Sequence, residues 1–453
     1  MNRFQFLSFL LGLAIVAAQP VLSQEIDRPL TLPEAVRLAL ERNPVVLNAG
    51  EQLAEVRGQV RQVRADAFPQ VAAEGFGLRM RDPGILNSPS FDKLPPEFRD
   101  MLNVTASNLF DAGVSVRQAI YTAGKVRTAI RLAEAGVGEK EAGIEAARQQ
   151  VSFQVFKAFY DWLLAEASLQ VLRETQEQRR EHLELARKRM ALGVATEVDV
   201  LRFQVNLANL DPELIRGENR LRLARFTLNS LIMVDVEAPT RIDGRLEYRP
   251  LPPLDVAEIL GRAHQMRPEL VVARRQLEEA RLLLRLAEAQ NKLSVDMEGR
   301  LGMAVRDPSN FFDSNFNRWS VTFNFRLPFY DSGRKAGQVA QASSRVRTAE
   351  QSLRQLENNV RLEVLAAHDD LQSLARAIDA AQLNVKRAER VGQMMQANYQ
   401  FGAATTIDVL DSQTAILLAR DVLLAAIHGY EVSKARLRLA EGAPILGREM
   451  EHR

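Results

Sequence analysis

Between Trp319 and Phe329 the chain alternates apolar and polar positions almost without a break. Trp319, Val321, Phe323, Phe325, Leu327 and Phe329 are apolar, while Ser320, Thr322, Asn324, Arg326 and Pro328 fill the positions between them. A period of two predicts a strand with one greasy and one wet face, and this length, tilted, matches the hydrocarbon thickness of a bilayer. Weaker alternations occur at Val114, Val116, Gln118 and Ile120, at Met297, Gly299, Leu301, Met303 and Val305, and at Phe76, Leu78 and Met80. Strands are therefore expected at about 71–81, 113–121, 294–305 and 319–330. Four strands are too few to close a barrel, and lipid cannot satisfy an open sheet edge, so a barrel would need other copies of the chain. An amphipathic sheet packed on a soluble core is the alternative.

Elsewhere the period is helical. Residues 125–190 and 334–399 contain no proline, and at 1.5 Å per residue each stretch predicts a helix roughly 100 Å long. Ala367, Leu371, Leu374, Ile378, Ala381, Val385, Ala388, Gly392, Met395 and Tyr399 follow the four-three spacing of a coiled-coil seam. The earlier stretch keeps that seam from Ala158 to Met190 with two polar departures, Gln176 and Arg179. Leu410, Leu417 and Leu424 continue a seven-residue spacing in a returning helix. Two antiparallel hairpins are expected, at 125–231 and 333–441, with tips at 191–195 and 400–404. Taken alone, they suit a solvated coiled-coil stalk.

These elements occur twice. Thr31 with Glu34 and Asp255 with Glu258 have capping-box spacing, and Pro44 and Pro268 interrupt the helices that follow. Tyr121-Thr-Ala-Gly124-Lys125 recurs as Tyr330-Asp-Ser-Gly333-Arg334, and Gly193 with Asp199-Val-Leu201 recurs as Gly402 with Asp408-Val-Leu410, both at an offset of about 209. So long a period implies a duplicated half-domain: a first repeat at 24–231, a linker at 232–254, a second repeat at 255–442 and a tail at 443–453. The second copy has gained one residue before Gly302, which flips strand parity. A bulge near Gly299 or Gly75 would let both copies face lipid alike.

Met1-Asn-Arg3, the apolar run from Phe4 to Ala18 and the small residues before Gln24 read as a secretory signal at 1–23. No other stretch is long and apolar enough for a transmembrane helix. The chain has no cysteine, which excludes disulfides and thiolate metal sites, and its net charge of +2 gives nucleic acid binding no support. His182, His264, His368, His428 and His452 form no ligand spacing, and no nucleophile elbow or phosphate loop appears. Neither an enzyme nor a cofactor is expected.

In their order and duplication these residues resemble the TolC family of outer-membrane channel proteins over nearly the whole mature chain. The repeated Ala39 to Pro44 and Ala263 to Pro268 starts, the strand-to-helix turns and the two tips carry the resemblance. It implies a mainly α fold with a small β part: a duplicated protomer whose four transmembrane strands contribute to a trimeric twelve-stranded barrel above a coiled-coil periplasmic tunnel. The 232–254 linker would lie in an equatorial belt.

The resemblance also implies roles at the tips. Asp408 and Asp411 would ring the pore constriction, where repulsion between copies would raise some of their pKa values; as first-turn acids they also simply suit a helix dipole. Asp199 and Tyr399 are gate contacts in the family, but the arginine expected beside them is replaced by Ala404, leaving Arg187, Lys188 or Arg189 as substitutes. Gly193, Val194, Gly402 and Ala403 would dock a periplasmic adaptor (membrane fusion) protein. Pro212 should kink the first returning helix. The expected protein is a homotrimeric exit duct in outer-membrane lipid, coupled to that adaptor and an inner-membrane efflux pump, for small toxic compounds. A type I protein or peptide secretion duct and a non-channel periplasmic coiled coil are the alternatives.

Overall fold

The computed structural model describes residues 28–80, 93, 95–97 and 107–446. The expected secretory segment lies outside them, as does the tail beyond residue 446. The first half runs α1 (Leu32–Arg42), α2 (Pro44–Ala65), β1 (Gln70–Met80), β2 (Ser107–Tyr121), α3 (Lys125–Ala191), α4 (Glu197–Ala208) and α5 (Asp211–Leu231). The second runs α6 (Val256–Met266), α7 (Pro268–Glu288), β3 (Ser294–Val305), β4 (Asn317–Arg326), α8 (Arg334–Gln400) and α9 (Thr406–Glu441). Thr31 and Glu34 close a capping box on α1, and the Asp255 carboxylate accepts from the Ala257 amide at the start of α6.

The described chain divides into two compact units. One holds residues 28–43, 154–247 and 378–428, and the other holds 44–80, 107–153, 248–377 and 429–446. The second unit contains an antiparallel sheet in the order β1-β2-β3-β4. Its register separates chemistry by face. Phe110, Val114 and Val116 pair with Val305, Leu301 and Gly299, and Leu301, Gly299, Met297 and Val295 pair with Trp319, Val321, Phe323 and Phe325, all on one apolar face. The opposite face gathers Glu74, Asp111, Ser115, Arg117, Glu298, Arg300, Arg318 and Ser320. Asp111, 5% exposed, is paired with Arg300 and, at 3.4 Å, with Arg318; Arg117 lies 3.3 Å from Glu298.

The sheet departs from the sequence expectation in two strand bounds, β2 beginning at Ser107 rather than about 113 and β4 ending at Arg326 rather than about 330, and in where its register breaks. Register is continuous through both Gly75 and Gly299, and the irregularity falls between Ala119 and Tyr121 instead. The inserted residue is therefore not absorbed. In β3 Leu301, Met303 and Val305 lie on the apolar face, whereas their counterparts Phe76, Leu78 and Met80 lie on the polar face of β1. A side chain at Gly77 would lie 3.2 Å from the Phe110 ring, so the apolar face of β1 favours small residues there. Gly113 and Gly302 face each other across β2 and β3, and a Cβ on Gly302 would come within 2.7 Å of the Gly113 Cα. Gly302→Val is expected to cost about 1–3 kcal/mol by overpacking against backbone that cannot yield. A lowered thermal unfolding midpoint, with the amount of protein made unchanged, is the measurement.

Each sheet end turns into a long helix through two successive left-handed residues, Ala123 and Gly124 (φ 51° and 82°) and Ser332 and Gly333 (φ 53° and 86°). That geometry explains the duplicated glycine. In the hairpins, every seam position from Ala367 to Tyr399 is buried or half-buried. In α9 Val409, Ser412 and Ala419 are buried, while Leu410, Leu417 and Leu424 are half-buried. Small residues allow close approach, and a Cβ on Gly392 would meet Ile416 Cδ1 at 2.6 Å. Pro212 lies at the start of α5, where the first returning helix breaks at Asn209 and Leu210. There Leu210 N–H bonds Leu207 O, leaving the Asn206 carbonyl to accept from Arg179 at 2.7 Å. Gln176 approaches Asp211 at 3.5 Å. Both polar departures in the first seam thus serve the break.

Candidate functional site at the hairpin tips

The two tips are built by the same local chemistry. Gly193 (φ 74°) and Gly402 (φ 76°) end the long helices in the left-handed region. Val194 N–H reaches back to Arg189 O at 2.9 Å, and Ala403 N–H to Asn398 O at 2.8 Å, the pattern of a glycine-terminated helix. The returning helices then begin with matching caps. Asp199 Oδ2 accepts from Thr196 N–H (3.0 Å) and Oγ1–H (2.7 Å), and Asp408 Oδ2 accepts from Thr405 N–H (2.8 Å) and Oγ1–H (2.6 Å). Val194, Gly193, Gly402 and Ala403 are exposed; Ala404 is half-buried.

Contacts between the tips are less symmetric. Leu183, Ala186, Val200, Phe203, Tyr399 and Val409 form a buried cluster, with Ala404 and Leu410 packed against it. Tyr399 meets the Phe203 ring edge-on at 6.1 Å. Of the three basic candidates, Arg189 makes the connection: its guanidinium donates to Tyr399 O (2.6 Å) and Gln400 O (3.0 Å) and lies 4.7 Å from the Tyr399 ring centre. It caps the last turn of α8, where Tyr399 O also accepts from the Gly402 amide at 3.1 Å. Arg187 pairs instead with Glu184 on its own helix at 2.7 Å.

Asp199 also bridges the tips. Its Oδ1 accepts from Thr406 Oγ1–H at 2.7 Å. That bond, then those from Thr196, holds its carboxyl below the ordinary carboxylate value. Thr406 was not singled out by sequence reasoning, although a signal existed, since the matching position in the first repeat is Glu197. His182, stacked on Phe203 at 6.2 Å, was missed as well.

Asp408 and Asp411 are both exposed on the first turns of α9. Within one protomer Asp408 is held below its ordinary value, chiefly by the Thr405 hydroxyl and then by its amide. That direction is opposite to the one repulsion between copies would produce, because the cap lies within one chain. The tips thus combine two rigid turns, a buried aromatic contact and an exposed acidic pair. Among the described residues no group of His, Asp and Glu could hold a metal ion.

Residues 35–232 and 259–443 each match the model of the outer membrane efflux protein family, so both repeats carry its signature. The chain belongs to the outer membrane efflux protein family. Its relatives include the outer membrane protein TolC of Vibrio cholerae, 23% identical over 96% of this chain and 95% of that protein. The alkaline protease secretion protein AprF of Pseudomonas aeruginosa is 22% identical over 65% of this chain and 62% of its own length. Among solved structures, the Campylobacter jejuni CmeC outer membrane channel superposes with a TM-score of 0.80 at 19% identity, covering 91% of this chain and 85% of that one. This efflux-family chain is an outer-membrane exit duct with a TolC-like fold. Among the described residues no helix is long and apolar enough to cross a membrane.

Proposed function

We propose that three copies close their sheets into one twelve-stranded barrel and form the passive exit duct of a tripartite system that expels small toxic compounds. One observation carries this reading. The sheet presents an apolar face, interrupted at its outer end by Arg79, Asn108 and Asn317, while its outer strands, β1 and β4, each pair on one side only. Unpaired strand edges are intolerable in lipid, and further copies of the same sheet satisfy them. The protein is expected to leave outer membranes only with detergent and to run as a trimer; a monomer released without detergent would overturn the proposal.

The tips are the place we assign to a periplasmic adaptor, itself coupled to an inner-membrane pump. Gly193, Val194, Gly402 and Ala403 are small, exposed and held in rigid turns, which suits close packing by a partner helix pair. A side chain at Gly402 would meet open space but a strained φ. Gly402→Trp should abolish export while leaving trimer yield and barrel intact. Export at the wild-type level by that variant would remove the tips from the docking surface.

Likeness to a protein named for alkaline protease secretion favours a second reading, a duct for secreted polypeptides. Deleting the gene separates the two. Sensitivity to dyes and detergents with unchanged extracellular protein supports efflux, and loss of one secreted protein without sensitisation supports secretion.

A further inference from the structure

We propose that Phe76, Leu78, Met80 and Leu109 line the inner wall of the duct near its outer end, as an apolar belt met by apolar and amphipathic organic solutes on their way out. The inference rests on the barrel reading above. It starts from strand parity: these four side chains share a face with Glu74, Asp111, Arg300 and Arg318, opposite the face of Trp319, Val321, Phe323 and Phe325. A face bearing an ion-paired Asp111 and two arginines cannot lie against hydrocarbon, so it faces the water-filled interior.

Register places the belt. Leu78 lies directly opposite Leu109, Phe76 opposite Asp111, and Glu74 opposite Gly113. Reading β1 from the helix side outward, the inner wall passes from Gln70 and Ala72 through the charged layer at Glu74 to Phe76, Leu78 and Met80. The described chain leaves the belt uncovered: the four side chains are 52%, 41%, 45% and 37% exposed. On the lipid side of the same strand stand Val71, Ala73, Gly75 and Gly77 and, at its outer end, Arg79 opposite Asn108, with the Phe110 ring 3.2 Å from where a Gly77 side chain would begin.

Three copies would repeat the belt around the lumen, with Phe76 level with the Asp111 charge cluster and Leu78, Met80 and Leu109 beyond it. Ions and hydrophilic solutes gain nothing from such a surface, whereas an organic solute with apolar area removes both surfaces from water as it passes. A lumen wall that is charged below and apolar above therefore favours amphipathic cargo.

The chain lacks cysteine, so single-cysteine variants of the full-length protein give unambiguous labelling. In isolated outer membranes a charged, membrane-impermeant maleimide is expected to modify F76C and L78C at least about tenfold faster than V321C and F323C. Protection of F76C to the level of V321C would place β1 against lipid and overturn the belt. Rapid labelling of V321C as well would show that the sheet is not in a bilayer, which defeats the barrel reading itself. In planar bilayers, tetrabutylammonium added at the outer side should block the wild type for longer than tetramethylammonium, an ion of equal charge and less apolar area. The F76S/L78S/M80S variant should lose that difference while keeping its conductance. An unchanged difference would overturn the belt's role in selecting solutes.

Discussion

Arg189→Ala is expected to loosen the two hairpin tips from each other and lengthen channel openings in planar bilayers more than any other single substitution there. The variant removes charge-assisted bonds to Tyr399 O and Gln400 O and the contact with the Tyr399 ring. Such bonds contribute about 1.5–3 kcal/mol when buried, and partial exposure here reduces the expected cost to about 1–2 kcal/mol. Arg189→Lys should recover only part of it: both carbonyl bonds come from one nitrogen, Nη1, which an ammonium can replace, but the planar guanidinium's contact with the Tyr399 ring is lost. Thr406→Val removes the single bond to Asp199 and should have the smaller effect. Open times equal to wild type in Arg189→Ala would show that the tips are held by the Phe203 and Tyr399 packing alone.

The second large effect is expected from Asp408→Asn with Asp411→Asn. Asparagine keeps an acceptor for the Thr405 bonds, so the cap survives while the charge is removed. With three copies placing these exposed acids around the threefold axis, the wild-type pore should favour potassium over chloride, and the double variant should lose at least about threefold of that preference. Multivalent cations added on the periplasmic side should block the wild type and spare the variant. Unchanged selectivity would leave Asp408 with the role seen in one protomer, the third residue of a helix cap. Far-ultraviolet circular dichroism of the variant distinguishes lost charge from a lost helix start.

Much of this architecture is legible in the chain because it depends on neighbours in sequence. Seam spacing and the absence of proline dictate the long helices of α3 and α8; Gly193 and Gly402 stop them; Thr196 with Asp199 and Thr405 with Asp408 restart the chain. Duplication makes each of these visible twice. The apolar face of β4 is equally plain from its alternation. Membership of the efflux family then follows from the order of the parts, and both repeats match it.

What the tertiary structure alone decided involves partners far apart in sequence. Alternation cannot say which residues of β1 share the apolar face of β2, β3 and β4, because parity depends on the pairing of Gly77 with Phe110 and of Leu78 with Leu109, and a one-residue insertion leaves both choices open. In α9 the leucine stripe at Leu410, Leu417 and Leu424 is only half-buried, whereas Val409, Ser412 and Ala419 are buried, and it is Ile416 and Ser412 that stand against Gly392 of α8. Arg189 stood among three basic neighbours, and only the position of Tyr399 across the hairpins selected it. Thr406 and Asp199, some two hundred residues apart, share a bond that no local pattern announces. Sequence determines which segments are helix or strand through local sterics and period, whereas face, register and partner are set by packing between segments.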